Sequence, residues 1–382
     1  MSPRFLAALK EALARYPTPF YAYDWTRVEV QVARLKAAFP RARLFYALKA
    51  NPRLGLLRRL RGLGLGAEAV SLGEVLRAYR AGFAPEEVVF NGPAKAEEAL
   101  RALQGQVPWV VLDSESDLRR VARVLPGARA LLRVNPDLPV ATHPHLATGS
   151  GESQFGVLPE EVPRLFRLAR DLGLDVRGLH LHPGSKLDRV EDFLEGYRVL
   201  EALFPEVGRV AVLDLGGGFG LRLPLESLQA PMEALARRYG AKVFLEPGRY
   251  LVAEAGVLVA RVVALKRTRR PYLVLDAGMT TLLRPALYGA FHPVLPLYEG
   301  GEEEVFDLAG PACEAGDVMA RGVRLPRPKE GDALAFLEAG AYGASMALTY
   351  LDTPRPLELL WTGEGFEVLR PREDLEGLLA EG

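Results

Sequence analysis

The chain has 382 residues, 49% apolar and 25% charged, which is ordinary globular usage and excludes a long disordered protein. Its 48 basic side chains balance 48 acidic ones, so it lacks the positive footprint of a dedicated nucleic-acid binder. Its single cysteine, Cys313, excludes an internal disulfide, and with five scattered histidines it gives no convincing metal site. Length alone predicts about two domains. The N-terminal stretch MSPRFLAALKEALARYP carries Lys10, Glu11 and Arg15 in a helical pattern and lacks the apolar core of a signal peptide. The best apolar run, Gly256 to Leu265, is broken by Arg261 and falls far short of the roughly 20 residues a spanning helix needs. A cytoplasmic protein with neither membrane nor nucleic-acid partners is the expectation.

Phe20–Asp24 reads as a strand. Eight short β-rich apolar runs follow: Leu44–Leu48, Ala67–Val70, Glu87–Phe90, Trp109–Leu112, Ala130–Val134, Val176–His182, Val210–Asp214 and Val243–Glu246. Helix-period segments separate them, among them Glu74–Arg80, Ala94–Leu103, Pro163–Leu172 and Leu225–Tyr239. Strands alternating with helices imply βαβ units, and eight units in about 200 residues predict an α/β fold with a (β/α)8 barrel. A doubly wound open sheet usually uses fewer strands, and no GxGxxG follows the first one. The connection from Asn135 to Val157 is polar and carries Gly and Pro; loops that long are often functional, and a lid is expected there. After about Ala255 the pattern changes to strands: Gly256–Lys266, Pro271–Asp276, Asp332–Leu337, Leu357–Trp361, and Phe366–Leu369 behind a Thr362-Gly363-Glu364-Gly365 turn. The expected organisation is a barrel over 22–255 and a mostly β domain over 256–382 that takes in residues 1–21 and the N-terminal strand.

Barrel chemistry collects at the C-terminal strand ends. Lys49 follows the first run, His182 ends the sixth, Gly216-Gly217-Gly218 follows the seventh, and Glu246-Pro247-Gly248-Arg249 closes the eighth. Each has a plain reading alone: a solvated charge, a structural imidazole, a tight turn, an ion pair between Glu246 and Arg249. Together on one rim they suit pyridoxal phosphate (PLP). A lysine desolvated at an apolar strand end becomes a nucleophile, here to join the cofactor as a Schiff base. The glycines, with Ser185, would hold the phosphate through backbone N–H groups. His182 would stack on the ring and Glu246 would pair with its nitrogen. A carboxylate there keeps that nitrogen protonated and the ring a strong electron sink, as decarboxylation requires; an arginine would suit a racemase better.

At these residues the chain resembles the fold-type III PLP-dependent decarboxylases, nearest their diaminopimelate-decarboxylase branch, from Phe20 to about Pro356. The motifs are YALKAN at 46–51, GAEAVSLGE at 66–74, LDLGGGFG at 213–220, EPGRYLVAEAG at 246–256, DAGM at 276–279, RPALYGAFH at 284–292, GPACEAGDVMA at 310–320 and GAYGASM at 340–346. The resemblance implies decarboxylation of meso-2,6-diaminopimelate to L-lysine and carbon dioxide by a homodimer. It places Lys49 on the cofactor, and Gly217, Gly218, Pro247, Gly248 and Arg249 around its phosphate. It assigns Arg249, Arg284 and Tyr288 to the substrate, and Tyr342 to both cofactor and substrate. Cys313 would return the proton and Glu314 would recognise the distal amino end, both reaching into the partner subunit's site. Chemistry agrees: two arginines suit a dicarboxylate, Glu314 suits a second ammonium, and a thiol is a competent proton donor.

The chain departs from the family's usual pattern at Gln154, at Lys186 and over Tyr350-Leu351-Asp352-Thr353. Ornithine, arginine or a carboxylated polyamine precursor such as carboxynorspermidine are the alternative substrates. Glu246 disfavours a racemase. Retention of Lys49 and Cys313 disfavours an inactive regulator. A phosphosugar-binding barrel gives no reason for Lys49, Glu246 and Cys313 together.

Overall fold

A computed structural model describes residues 1–138 and 153–380; most of the loop expected between Asn135 and Val157, and with it the lid, lies outside the described residues. The chain divides into two compact units, Val32–Tyr250 and Met1–Gln31 with Leu251–Gly382.

The first strand, β1 (Phe20–Asp24), belongs to the second of these units. The barrel unit holds β2 (Ala42–Ala47), β3 (Gly66–Ala69), β4 (Val88–Phe90), β5 (Trp109–Leu112), β6 (Arg129–Val134), β7 (Asp175–Leu181), β8 (Val212–Asp214) and β9 (Lys242–Leu245). All pair in parallel and in order, and β9 closes onto β2 with Ala42 opposite Val243. Residues of alternate orientation fill the interior: Phe45, Val89, Trp109, Val111, Leu131, Val212 and Phe244 form one cluster. The Phe244 ring meets Phe45 at 4.7 Å and stands edge-on to Trp109 at 5.3 Å. Helices follow the strands with local start signals. Ser71 accepts a hydrogen bond from the Glu74 N–H at 3.2 Å to start Leu72–Arg80, while the Glu74 carboxylate accepts from the Val70 N–H.

Toward the C-terminal ends the strands turn from apolar to polar. Register places Glu68 opposite Ala47 and Val89, and His180 opposite both Arg133 and Asp214. Glu68, Asn91, Asp113, Arg133, His180, Asp214 and Glu246 are all buried. This charged layer is where the site forms.

The second unit is a mixed sheet. It adds β10 (Gly256–Arg267), β11 (Pro271–Leu275), β12 (Val294–Pro296), β13 (Glu303–Ala309), β14 (Val318–Pro326), β15 (Ala333–Phe336), β16 (Leu357–Trp361) and β17 (Phe366–Arg370). The order is β14-β13-β11-β10-β1-β16-β17, with β15 joining β10 to β12. The N-terminal strand thus pairs antiparallel to β10 and parallel to β16. The helix Pro3–Arg15 buries Phe5, Leu9 and Ala12 against Phe20, Val257, Leu359 and Trp361. Sequence periodicity missed β12, β13 and β14. The long β13–β14 hairpin buries only part of each strand, so charged residues such as Glu303, Glu304, Arg321 and Arg324 blur the alternation.

Candidate active site

Lys49 stands on the short turn Leu48–Ala50 beyond β2, with its Nζ 3.6 Å from Glu68 Oε2. Its side chain is 40% exposed, so the desolvated group is not the lysine, as the sequence led us to expect, but the carboxyl facing it. Burial pushes the Glu68 pKa from its ordinary 4.5 up to about 8, against the pull of Lys49.

His182 follows β7. The Gly217 N–H donates to its Nδ1 over 3.3 Å, which requires that nitrogen to be unprotonated. Burial, then the positive charges of Lys49 and Arg133, hold the pKa of His182 well below 6.5. A flat, neutral ring results. Glu246 follows β9, and its Oε2 lies 3.3 Å from His180 Nε2, which also meets Asn91 Nδ2 at 3.2 Å. Burial opposes ionisation of Glu246, but the His180 imidazole, with Lys49 and His182, draws its pKa down to about 2. Burial, then the Glu246 charge, pushes the neighbouring Asp214 well up. The two carboxyls are driven apart, Glu246 toward its ionised form and Asp214 away from it. The other Glu246 oxygen, Oε1, is buried, and no N–H of the described residues donates to it. A buried acceptor of this kind fits a ligand N–H.

The loops above β7, β8 and β9 are laced together by backbone. Leu187 N–H donates to Gly218 O at 2.9 Å, Gly220 N–H to Leu187 O at 2.9 Å, and Glu246 N–H to Gly216 O at 2.7 Å. A Cβ on Gly217 would lie 2.2 Å from the Glu246 carbonyl, and one on Gly218, whose φ is +85°, would lie 2.2 Å from the Gly184 carbonyl. Only glycine lets these loops approach so closely. Ser185 is half-buried in the loop after β7. Ala47 N–H donates to Pro247 O at 3.2 Å, and a Cβ on Gly248 would sit 3.0 Å from Ala47 Cβ, so the Glu246–Arg249 segment packs on the strand that leads to Lys49. Lys49, His182, Ser185, Gly217, Gly218, Glu246, Pro247, Gly248 and Arg249 thus share one rim.

The other expected site residues lie in the β-rich unit. Arg284 opens the helix Arg284–Tyr288, is buried, and has an Nη1 3.2 Å from His292 Nε2, whose Nδ1 lies 2.9 Å from Leu337 O. Tyr342, in Gly340-Ala341-Tyr342-Gly343, adopts φ +59°, a conformation side chains seldom take. Cys313 and Glu314 are exposed on the β13–β14 turn. That turn is pinned by a residue the sequence reading passed over. Asp317 is buried; its Oδ1 accepts from Met279 N–H at 2.6 Å and its Oδ2 from Ala312 N–H at 2.9 Å. Its own N–H donates to Glu314 O at 3.0 Å. Tyr350 O–H donates to Glu314 Oε1 at 2.6 Å, a bond that raises the phenol pKa. Sequence reasoning also passed over Glu68, Arg133, His180 and Asp214. The available signal was a charge embedded in an apolar run, as in GAEAV and LLRVN.

Residues 25–253 match the family described as pyridoxal-dependent decarboxylase, pyridoxal binding domain. The diaminopimelate decarboxylase of Deinococcus radiodurans is 48% identical over 98% of both chains. That of Methanothermobacter thermautotrophicus is 37% identical over 97% of this chain and 92% of its own. Among solved structures, the diaminopimelate decarboxylase of Helicobacter pylori complexed with L-lysine superposes with a TM-score of 0.92 at 32% identity, covering 97% of this chain and 98% of the other. Matched from end to end by these relatives, and by a family model over the whole barrel, the chain belongs to the diaminopimelate decarboxylase family of pyridoxal-dependent decarboxylases.

Proposed function

We propose that the protein removes carbon dioxide from meso-2,6-diaminopimelate to give L-lysine, using PLP, and that it acts as a homodimer. The carrying observation is the rim itself: Lys49, neutral His182 and ionised Glu246 around a glycine cradle, in a chain alike over its full length to diaminopimelate decarboxylases. The buried Glu246 Oε1, to which no N–H of the described residues donates, and the close-laced glycines fit PLP.

Lys49 would hold the cofactor through its Nζ, and Glu246 would pair with its ring nitrogen. His182 would lie against the ring, and Ser185, Gly217, Gly218 and the Pro247–Arg249 segment would take the phosphate. When bound, PLP supplies an electron sink for the pair left behind as the carboxyl departs. An ionised Glu246 would favour a proton on the ring nitrogen and so keep that sink strong. Arg249, Arg284 and Tyr288 hold the substrate carboxylates, guanidinium being matched to carboxylate in shape as well as charge. Tyr342 contacts both cofactor and substrate. Cys313 Sγ gives its proton to the substrate's α carbon after carbon dioxide leaves, and Glu314 takes the distal ammonium.

Cys313 and Glu314 serve the partner subunit's site in this reading. Their exposure supports it, as does the exposure of Phe291 (77%), Leu287, Leu348 and Leu351 in the same unit. A second reading, decarboxylation of another basic amino acid, draws on the Selenomonas ruminantium lysine decarboxylase structure, 27% identical with a TM-score of 0.84. Among the described residues no helix is long and apolar enough to cross a membrane.

Carbon dioxide release from meso-diaminopimelate, compared with lysine, ornithine, arginine and carboxynorspermidine, tests the assignment. Gas from diaminopimelate in strong preference is expected. Preferred release from another amine replaces the substrate, and a purified protein with no visible cofactor band after PLP addition overturns the reading of Lys49.

A further inference from the structure

Tyr350 lies just beyond the GAYGASM stretch at 340–346, and neither cofactor nor proton chemistry uses it. Its hydroxyl donates to Glu314 Oε1 at 2.6 Å across 36 residues of chain. The two groups are held from opposite sides. On one side, Asp317 fixes the turn that carries Glu314 through hydrogen bonds from Met279 and Ala312 and its own N–H to the Glu314 carbonyl. On the other, Tyr350 opens a turn in which Leu351 (φ +61°) and Asp352 (φ +50°) both occupy the left-handed region. Two successive non-glycine residues there cost free energy that the surrounding structure must offset, a pattern found at ligand clamps. The exposed glutamate would otherwise sample several rotamers.

We propose that Tyr350 is a specificity-determining positioning residue: it anchors one oxygen of Glu314 so that the other is presented to the distal ammonium at a fixed reach. This rests on the reading of Glu314 given above. A carboxylate fixed in place acts as a ruler. A diamino dicarboxylate of the right length meets Oε2, and one a methylene shorter does not. A mobile carboxylate would follow either. Tyr350 makes no claim on the reacting carbon, so its loss acts on substrate binding and selectivity and leaves kcat for diaminopimelate near its original value.

The test compares Tyr350→Phe, Glu314→Ala and the double variant, each normalised to cofactor-loaded sites by visible absorbance. kcat and KM are measured for meso-diaminopimelate and for 2,5-diaminoadipate, and Kd for L-lysine. Removing one hydrogen bond to a charged group predicts about a tenfold rise in KM for diaminopimelate, with a matching loss of selectivity. Glu314→Ala should lose more, and adding Tyr350→Phe to it should change nothing further. If Glu314→Ala erodes selectivity and Tyr350→Phe does not, Tyr350 has no such role and the reading of Glu314 stands. An additive double variant also overturns the proposal, because Tyr350 would then act independently of Glu314. If Glu314→Ala itself keeps full selectivity, the reading of Glu314 falls and this inference with it.

Discussion

The barrel rim and the β13–β14 turn hold their functional groups in opposite ways. On the rim the ionisable groups are buried: Glu68, His180, Asp214 and Glu246 are each at most 4% exposed, placed by strand register and, at Glu246, by backbone lacing to Gly216. On the turn, Cys313 and Glu314 stand in solvent and depend on two anchors, Asp317 beneath and Tyr350 beside. Burial sets protonation states before any ligand arrives, which a cofactor site needs. Exposure leaves groups available to a molecule or subunit that comes later. The rim therefore suits the resident group and the turn the passing one.

The contrast can be broken most severely at Lys49. Lys49→Ala should remove the visible cofactor band and lower turnover by about 1000-fold or more, since the nucleophilic amine is lost. A variant that keeps the band would detach Lys49 from the cofactor. Cys313→Ala should be milder and of a different kind: the band stays and kcat falls by about 100-fold, the usual loss for a general acid. An unchanged rate removes the thiol from proton return.

Asp317→Ala sharpens the comparison, because it strips the anchor and leaves both recognition residues in place. The N–H groups of Met279 and Ala312 lose their acceptor, at a cost of about 2–4 kcal/mol in stability. Turnover should fall by about tenfold through the loosened turn. Thermal unfolding and kcat, measured together, would refute the anchor role if both held at their original values.

The smallest effect belongs to Glu68→Gln. A carboxyl held up at about 8 keeps its proton at neutral pH, so the amide is a close copy. Activity at pH 7 should change less than about threefold. The linkage is more telling. Between 4.5 and about 8 the native protein keeps a proton on Glu68 that the unfolded chain has released, so this group makes stability fall as pH rises through that window. Denaturant titrations of the cofactor-free protein from pH 5 to 8 should show a shallower decline in the glutamine variant. Equal slopes would mean that Glu68 is not raised.

The legible part of this site lay where chemistry needs a rare residue in a fixed place: one lysine after the first barrel strand, three glycines after the seventh, a carboxylate after the eighth. The illegible part was contextual. Nothing in GAEAV says that Glu68 faces Lys49, because that needs β2 and β3 in register, with Ala47 opposite Glu68. Nothing in CEAGD says that the aspartate is the anchor and the glutamate the reader. Their roles separate only when the backbone of Met279, 38 residues away, docks on Asp317.

By itself the sequence determined the eight-strand barrel, the addition of β1 to the β-rich sheet, the cofactor and the family. These rest on local periodicity and short motifs, which neighbouring residues in the chain encode. Tertiary structure alone decided which ionisable groups are buried, that burial pushes Asp214 up while its neighbours draw Glu246 down, and that Tyr350 hydrogen-bonds Glu314. Burial and pairing arise from segments distant in sequence, and an ionisable group takes its pKa from what surrounds it in space.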